Sequence, residues 1–243
     1  MKKLLFIPTV FLLMLALASC GKPGCAQKAG ATTRTVRGSG PFSHIIVSDN
    51  INVLLRQDSS HRIEVETDEA LQAAVSTEVA NGVLSIRNTA SCAWIRRPGE
   101  TINVFVSLPD LNRLEYQGSG TVRCADTLHL DYLSVEADHG AGTVNLLLDT
   151  RFTSALINNE VTDLVFAGRS DSCYTWCSSR GAIDYRDFRV QRLALDYAGV
   201  RDARVWATES LRATIFQNGN IYYKGTPRLS PDYRNSGRLI AAP

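Results

Sequence analysis

Leu111-Asn112-Arg113-Leu114-Glu115-Tyr116-Gln117-Gly118-Ser119-Gly120-Thr121-Val122 is answered by Leu133-Ser134-Val135-Glu136-Ala137-Asp138-His139-Gly140-Ala141-Gly142-Thr143-Val144. Each stretch is an alternating strand, a corner of small residues and the start of a second alternating strand. Leu193 to Val205 and Leu211 to Ile221 repeat the plan. Ala155–Leu164 and Cys173–Ile183 fit it more loosely and lack the Gly-x-Gly corner. One apolar landmark follows each corner: Val122, Val144, Leu164, Ile183, Val205 and Ile221, about 20 residues apart. A period of that size with two short strands per unit is the signature of a β-solenoid, in which each coil buries its inward residues only by stacking on its neighbours. Two places beyond the landmarks stand Cys124, Leu146, Phe166, Tyr185, Ala207 and Tyr223, a second expected core column. An ordinary β-sandwich with accidental spacing is the competing architecture.

Upstream, alternation with period two continues without the repeat. Ile45 and Val47, then Ile51, Val53 and Leu55, then Ile63 and Val65 are apolar at every second place. Ile102, Val104, Val106 and Leu108 follow. Turn residues punctuate them at Asp49-Asn50, Asp58-Ser59-Ser60, Asn81-Gly82 and Pro98-Gly99, and Asn-Gly between strands is a hairpin signal. The one helical spacing, Asp68 to Val75, is short enough to be a loop or a single helical turn. The fold expected is all-β: a single-stranded right-handed β-helix-like solenoid stack over 111–240, with an N-terminal β-sheet portion over 36–110.

The first 35 residues carry address rather than fold. Met1-Lys2-Lys3 and an apolar run from Leu4 end at Leu17-Ala18-Ser19-Cys20. This resembles a bacterial lipobox, in which small residues admit a signal peptidase and the cysteine sulfur takes a diacylglycerol. The apolar run is too short for a membrane span, which takes about 20 residues. Residues 1–19 read as a lipoprotein signal peptide, and Cys20 as the lipidation site. Residues 20–35 read as a flexible lipidated tether of small and polar side chains. Gly21 stands where an aspartate would favour retention at the inner membrane in enteric bacteria. The expected location is therefore the cell envelope, lipid-anchored, at the outer membrane.

Charge and cysteine usage narrow the partners. The whole chain has 26 basic and 24 acidic side chains, and two of the lysines fall in the signal. The remainder is formally neutral, with no basic footprint for nucleic acid. Export implies a compartment where disulfides persist. With Cys20 committed to lipid, Cys25, Cys92, Cys124, Cys173 and Cys177 are odd in number, so at least one is unpaired within the chain. Cys173 and Cys177 lie about 13 Å apart on a straight strand, beyond disulfide reach unless the chain turns between them. Neither Cys-x-x-Cys nor a paired His is present, so no metal site and no cofactor is expected.

Several motifs carry a resemblance. Phe42-x-x-Ile45-x-Val47, Asn103–Leu111, Tyr116-Gln-Gly-Ser-Gly120, Asn220–Pro227 and Asn235-Ser-Gly-Arg-Leu239 occur in an order similar to that of the putative auto-transporter adhesin, head GIN domain family of bacterial envelope proteins. The resemblance spans about residues 36–240. It implies a helix-like stack of strands at the bacterial surface or in the periplasm, and it supplies no catalytic residues.

Catalytic constellations are thin. Gly118-Ser119-Gly120-Thr121-Val122 lacks the lysine and the strand-to-helix setting of a phosphate loop. His44, His61, His129 and His139 are dispersed, and Ser119 with Asp138-His139 has no nucleophile elbow. Stacked coils could align Asp138, Glu160, Asp184 and Asp196, and glycoside hydrolysis needs two carboxyl groups about 5–10 Å apart. Outward acids are equally what solubility demands. Trp94, in the loop Trp94-Ile95-Arg96-Arg97-Pro98, is a candidate for ligand contact, ahead of Trp176 and Trp206. The reading is a non-enzymatic, adhesin-like or structural envelope module whose ligand is a glycan or a protein. The rival is a glycan-active β-helix hydrolase or lyase. A groove holding two or three carboxylates beside an arginine would favour the rival, and a flat polar face with an aromatic patch would favour binding.

Overall fold

The computed structural model describes residues 30–90, 101–158 and 161–242. The strands are β1 (Thr32–Arg37), β2 (His44–Asp49), β3 (Asn52–Gln57), β4 (Arg62–Asp68), β5 (Val75–Ala80), β6 (Val83–Asn88), β7 (Asn103–Leu108), β8 (Arg113–Gly118) and β9 (Thr121–Cys124). They continue as β10 (Leu128–Asp138), β11 (Thr143–Asn158), β12 (Asp163–Ser178), β13 (Ile183–Tyr197), β14 (Ala203–Ile215), β15 (Ile221–Lys224), β16 (Arg228–Tyr233) and β17 (Leu239–Ala241). The helical spacing near Asp68 becomes a 3₁₀ turn at Gln72–Ala74.

The fold is a β-solenoid. Long strands β10 to β14 each run along more than one side of the coil and pair in parallel with the next. Their C-terminal halves form one face, ordered β6–β2–β8–β10–β11–β12–β13–β14–β16. The N-terminal halves of β11 to β14 form a second, ordered β7–β3–β9–β11–β12–β13–β14–β15–β17. The parallel stacking thus extends upstream of Leu111, through β2, β3, β6 and β7. The repeat fades there because β4 and β5 are antiparallel excursions between coil strands, which break the 20-residue rhythm. These excursions, with β1 antiparallel to β4, cover the end of the stack, where an open edge would invite pairing with another chain.

The core is a set of columns. Val122, Val144 and Leu164 stack in register, Leu164 pairs with Ile183, and Ala203 pairs with Ile221. Asp184 pairs with Arg204, which sets Ile183 over Ala203. The expected landmark Val205 is therefore corrected to Ala203. In the second column Val205, paired with Tyr223, takes the place assigned to Ala207, which pairs with Val190. The reason is local: alternation leaves Ala203, Val205 and Ala207 all inward and all buried, so periodicity alone cannot say which aligns with the coil before. Phe166 and Tyr185 do stack as expected, rings parallel with centroids 4.9 Å apart.

Two glycines are dictated by close approach. A Cβ at Gly142 would overlap the Gly120 carbonyl and the Tyr116 hydroxyl. Gly168 has φ +97° and sits against the Leu148 carbonyl, a conformation and a contact that exclude a side chain.

Candidate functional site

A polar groove opens where the β3 end and the Pro109–Asn112 loop overhang the middle of β10 to β13. Its volume is about 760 Å³, and its walls include Asp110, His129, Asp131, Tyr132, Asp149 and Arg169. The geometry follows from parallel register. His129, Asp149, Arg169 and Arg189 are successive partners across four strands. Arg169 donates to both oxygens of Asp149 at 2.7 Å, and His129 Nδ1 lies 3.1 Å from the same carboxylate. Arg169 therefore holds the Asp149 carboxyl below its ordinary range, with His129 adding to the effect. Beside this ladder, Arg151 lies 3.5 Å from Asp131, and Gln191 donates to Asp171 at 3.2 Å.

The groove thus does place carboxylates beside arginines, but they are consumed in cross-coil pairs. Asp110 has no ion-pair or hydrogen-bond partner among the described residues. Asp110, Asp131 and Asp171 are exposed. Gln57 finishes the upper edge: its side chain accepts from the His129 N–H at 2.8 Å and donates to the His129 carbonyl at 2.9 Å. At the rim, Tyr132 and Phe152 stack with centroids 5.8 Å apart, and both rings are exposed.

The other acids considered from sequence are not gathered. Asp138 lies at a corner, 3.2 Å from His139 Nδ1. Asp196 lies three coils further along that face, roughly 14 Å at the usual strand spacing. Asp184 is on the second face, held by Arg186 with bonds of 2.6 and 2.8 Å. Ser119 and His139 do lie at the corners of consecutive coils, as the repeat implies, but the His139 side chain is 85% exposed and open to water. His44 lies 2.9 Å from Glu115, and His61 contacts the Phe42 carbonyl. Among the described residues no cluster of His, Cys, Asp and Glu could hold a metal.

The two described tryptophans are committed locally. Trp176 donates to Asn158 at 3.1 Å and meets Phe216 edge-on. Its neighbours Tyr174, Asp196 and Arg212 are joined to each other. Trp206 carries the Lys224 ammonium 4.0 Å above its ring. Cys173 and Cys177 are free and buried in one continuous strand, and Cys124 is free and half-buried. Cys20, Cys25, Cys92, Trp94 and Glu160 lie outside the described residues. Sequence reasoning missed the groove because Asp110 and Tyr132 come from different coils, and only the overhang brings them together.

The comparisons with known proteins agree on the fold. The family model described as putative auto-transporter adhesin, head GIN domain matches residues 41–227. A putative adhesin from Bacteroides fragilis superposes with a TM-score of 0.79 at 21% identity, over 87% of this chain and 97% of that one. A putative adhesin from Parabacteroides distasonis gives 0.69 at 19% identity, over 88% and 98%. A putative lipid binding protein from Parabacteroides distasonis gives 0.68 at 18%, over the same shares. No curated protein matches the chain. At these identities the structures speak for architecture alone.

Proposed function

This chain belongs to the putative auto-transporter adhesin, head GIN domain family, and from that premise we propose that it is a lipid-anchored envelope module that binds without catalysing. The observation that carries the reading is the fate of the groove acids. Asp149 is held by Arg169 and His129, Asp131 lies beside Arg151, and Asp171 is bonded to Gln191. Only Asp110 is left without a partner among the described residues, and a glycosidase needs two carboxyl groups with divided roles.

The lipobox at Leu17–Cys20 supports acylation at Cys20 and residence at the outer membrane, with Gly21 favouring release from the inner one. Acyl chains and a polar tether leave the solenoid free to meet a glycan or a protein partner. Its long parallel strands make a rigid platform, and the groove presents ligand-facing groups on that platform.

The test is a screen of the purified protein against polysaccharides, esters and phosphate esters with product detection, beside a binding assay on intact bacterial cells. Cell or polymer binding with no product is the expected result. Product formation that vanishes in Asp110→Asn or Asp131→Asn would overturn the reading in favour of a glycan-active enzyme.

A further inference from the structure

We propose that the groove between Asp110 and Tyr132 binds a neutral glycan, one pyranose lying on the Tyr132 ring with its hydroxyls taken up by Asp110. The inference rests on the binding-module reading and names the ligand class and the residues for it.

The aromatic cluster on the first face is internally satisfied: Trp176 bonds Asn158, and Tyr174 bonds Asp196, which also faces Arg212. The groove differs. Tyr132 is 45% exposed, and no partner for its hydroxyl is present among the described residues. Asp110 is exposed and likewise unpartnered. Both line one concavity of about 760 Å³. An aromatic ring, apolar on its face and polar at its tip, beside a free carboxylate acceptor is what a pyranose requires. Its C–H face packs on the ring, and its vicinal hydroxyls donate to the carboxylate.

Charge selects among sugars. Four aspartates (Asp110, Asp131, Asp149 and Asp171) line the groove against Arg151 and Arg169. Both arginines already face carboxylates. A uronic acid, sulfate or phosphate would meet net negative charge with no cation free to receive it. A peptide fits less well than a sugar. Strand addition needs the outer backbone groups of β10, and Gln57 has taken those of His129. Side-chain anchoring needs a deep apolar pocket, and the apolar wall here is one ring with Pro109 and the buried Leu130.

The test is affinity electrophoresis of the purified protein through gels holding yeast mannan, laminarin, galactomannan or, as the acidic control, polygalacturonate. Reducing ends are measured in parallel. The expected result is retardation by at least one neutral polymer, at least tenfold weaker in Tyr132→Ala and in Asp110→Asn, and unchanged in Trp176→Ala. Both groove side chains are exposed, and equal melting temperatures verify that their variants fold. Three outcomes overturn the inference: no retardation by any neutral polymer, retardation by polygalacturonate alone, or retardation that survives both groove variants. If the protein still adheres to cells while ignoring every sugar, the binding-module reading stands and the glycan inference alone falls. Release of reducing ends would instead remove the binding-module reading itself.

Discussion

The buried hydroxyl of Tyr116 donates to the carbonyl of Gly120, four residues on, at 2.5 Å. The ring thereby plugs the corner between β8 and β9. Tyr197 bonds the Arg201 carbonyl in the same way at a later corner. Burial pushes both phenols well above their ordinary value, so the hydroxyls stay protonated and able to donate. The Gly120 carbonyl also accepts from Thr143 N–H at 3.2 Å in the next coil. Tyr116→Phe therefore leaves that carbonyl one partner, and it should cost about 1 kcal/mol. Urea unfolding monitored by circular dichroism measures it. A loss above about 3 kcal/mol would mean that the hydroxyl does more than close this corner.

The stacked column makes a sharper demand. Val144 lies between Val122 and Leu164 and is fully buried. Val144→Asp puts an unpaired carboxylate among methyl groups and should destabilise by several kcal/mol. An unchanged melting temperature would contradict the register described.

Alkaline pH should unfold the protein early. Burial pushes the Cys173 and Cys177 thiols up to about 12 from an ordinary value of 9.0. Unfolded thiols ionise near 9 while the folded ones cannot, so the stability linked to them is complete below pH 9. It is lost progressively as pH rises to about 12, and amounts to a few kcal/mol for each thiol. Melting temperature against pH should fall less steeply across that window in Cys173→Ala/Cys177→Ala than in the parent. Equal slopes would show that the thiols are not the titrating groups.

At the far end of the stack, the outer strand of the first face carries a proline, Pro231 in β16. Arg234 N–H bonds the Ile215 carbonyl, so even-numbered positions of β16 turn their backbone groups towards β14 and odd-numbered ones turn outwards. Pro231 is odd, and its missing N–H falls on an edge that pairs with no other strand among the described residues. Pro231→Val restores a donor to that edge and should promote self-association. Light scattering after size exclusion would reveal it, and an unchanged mass at high protein concentration would count against this role.

Anchoring is testable apart from binding. Cys20→Ser should abolish acylation and release the protein from membranes, because two or three chains supply nearly all the membrane affinity. Metabolic labelling with a fatty-acid analogue that still marked the substituted protein would refute the lipobox reading.

Periodicity was enough to read the β-solenoid, since inward positions every second residue and corners every 20 or so are local properties of the chain. Val122 and Val144 could be aligned from sequence because Gly-x-Gly corners mark where those coils begin, and Leu164 follows Val144 by 20 residues. Ala203 could not be told from Val205, because no such corner precedes it and both satisfy the same alternation. Register across strands is a property of pairs, and only the stacked coils decide it. The candidate site lay further out of reach. Asp110 closes one loop and Tyr132 sits at a bend in the next coil, with nothing in the sequence between them to join their roles. His129, Asp149 and Arg169 are likewise 20 residues apart in the chain. They become one ladder only because parallel strands bring equivalent positions of successive coils within hydrogen-bonding distance.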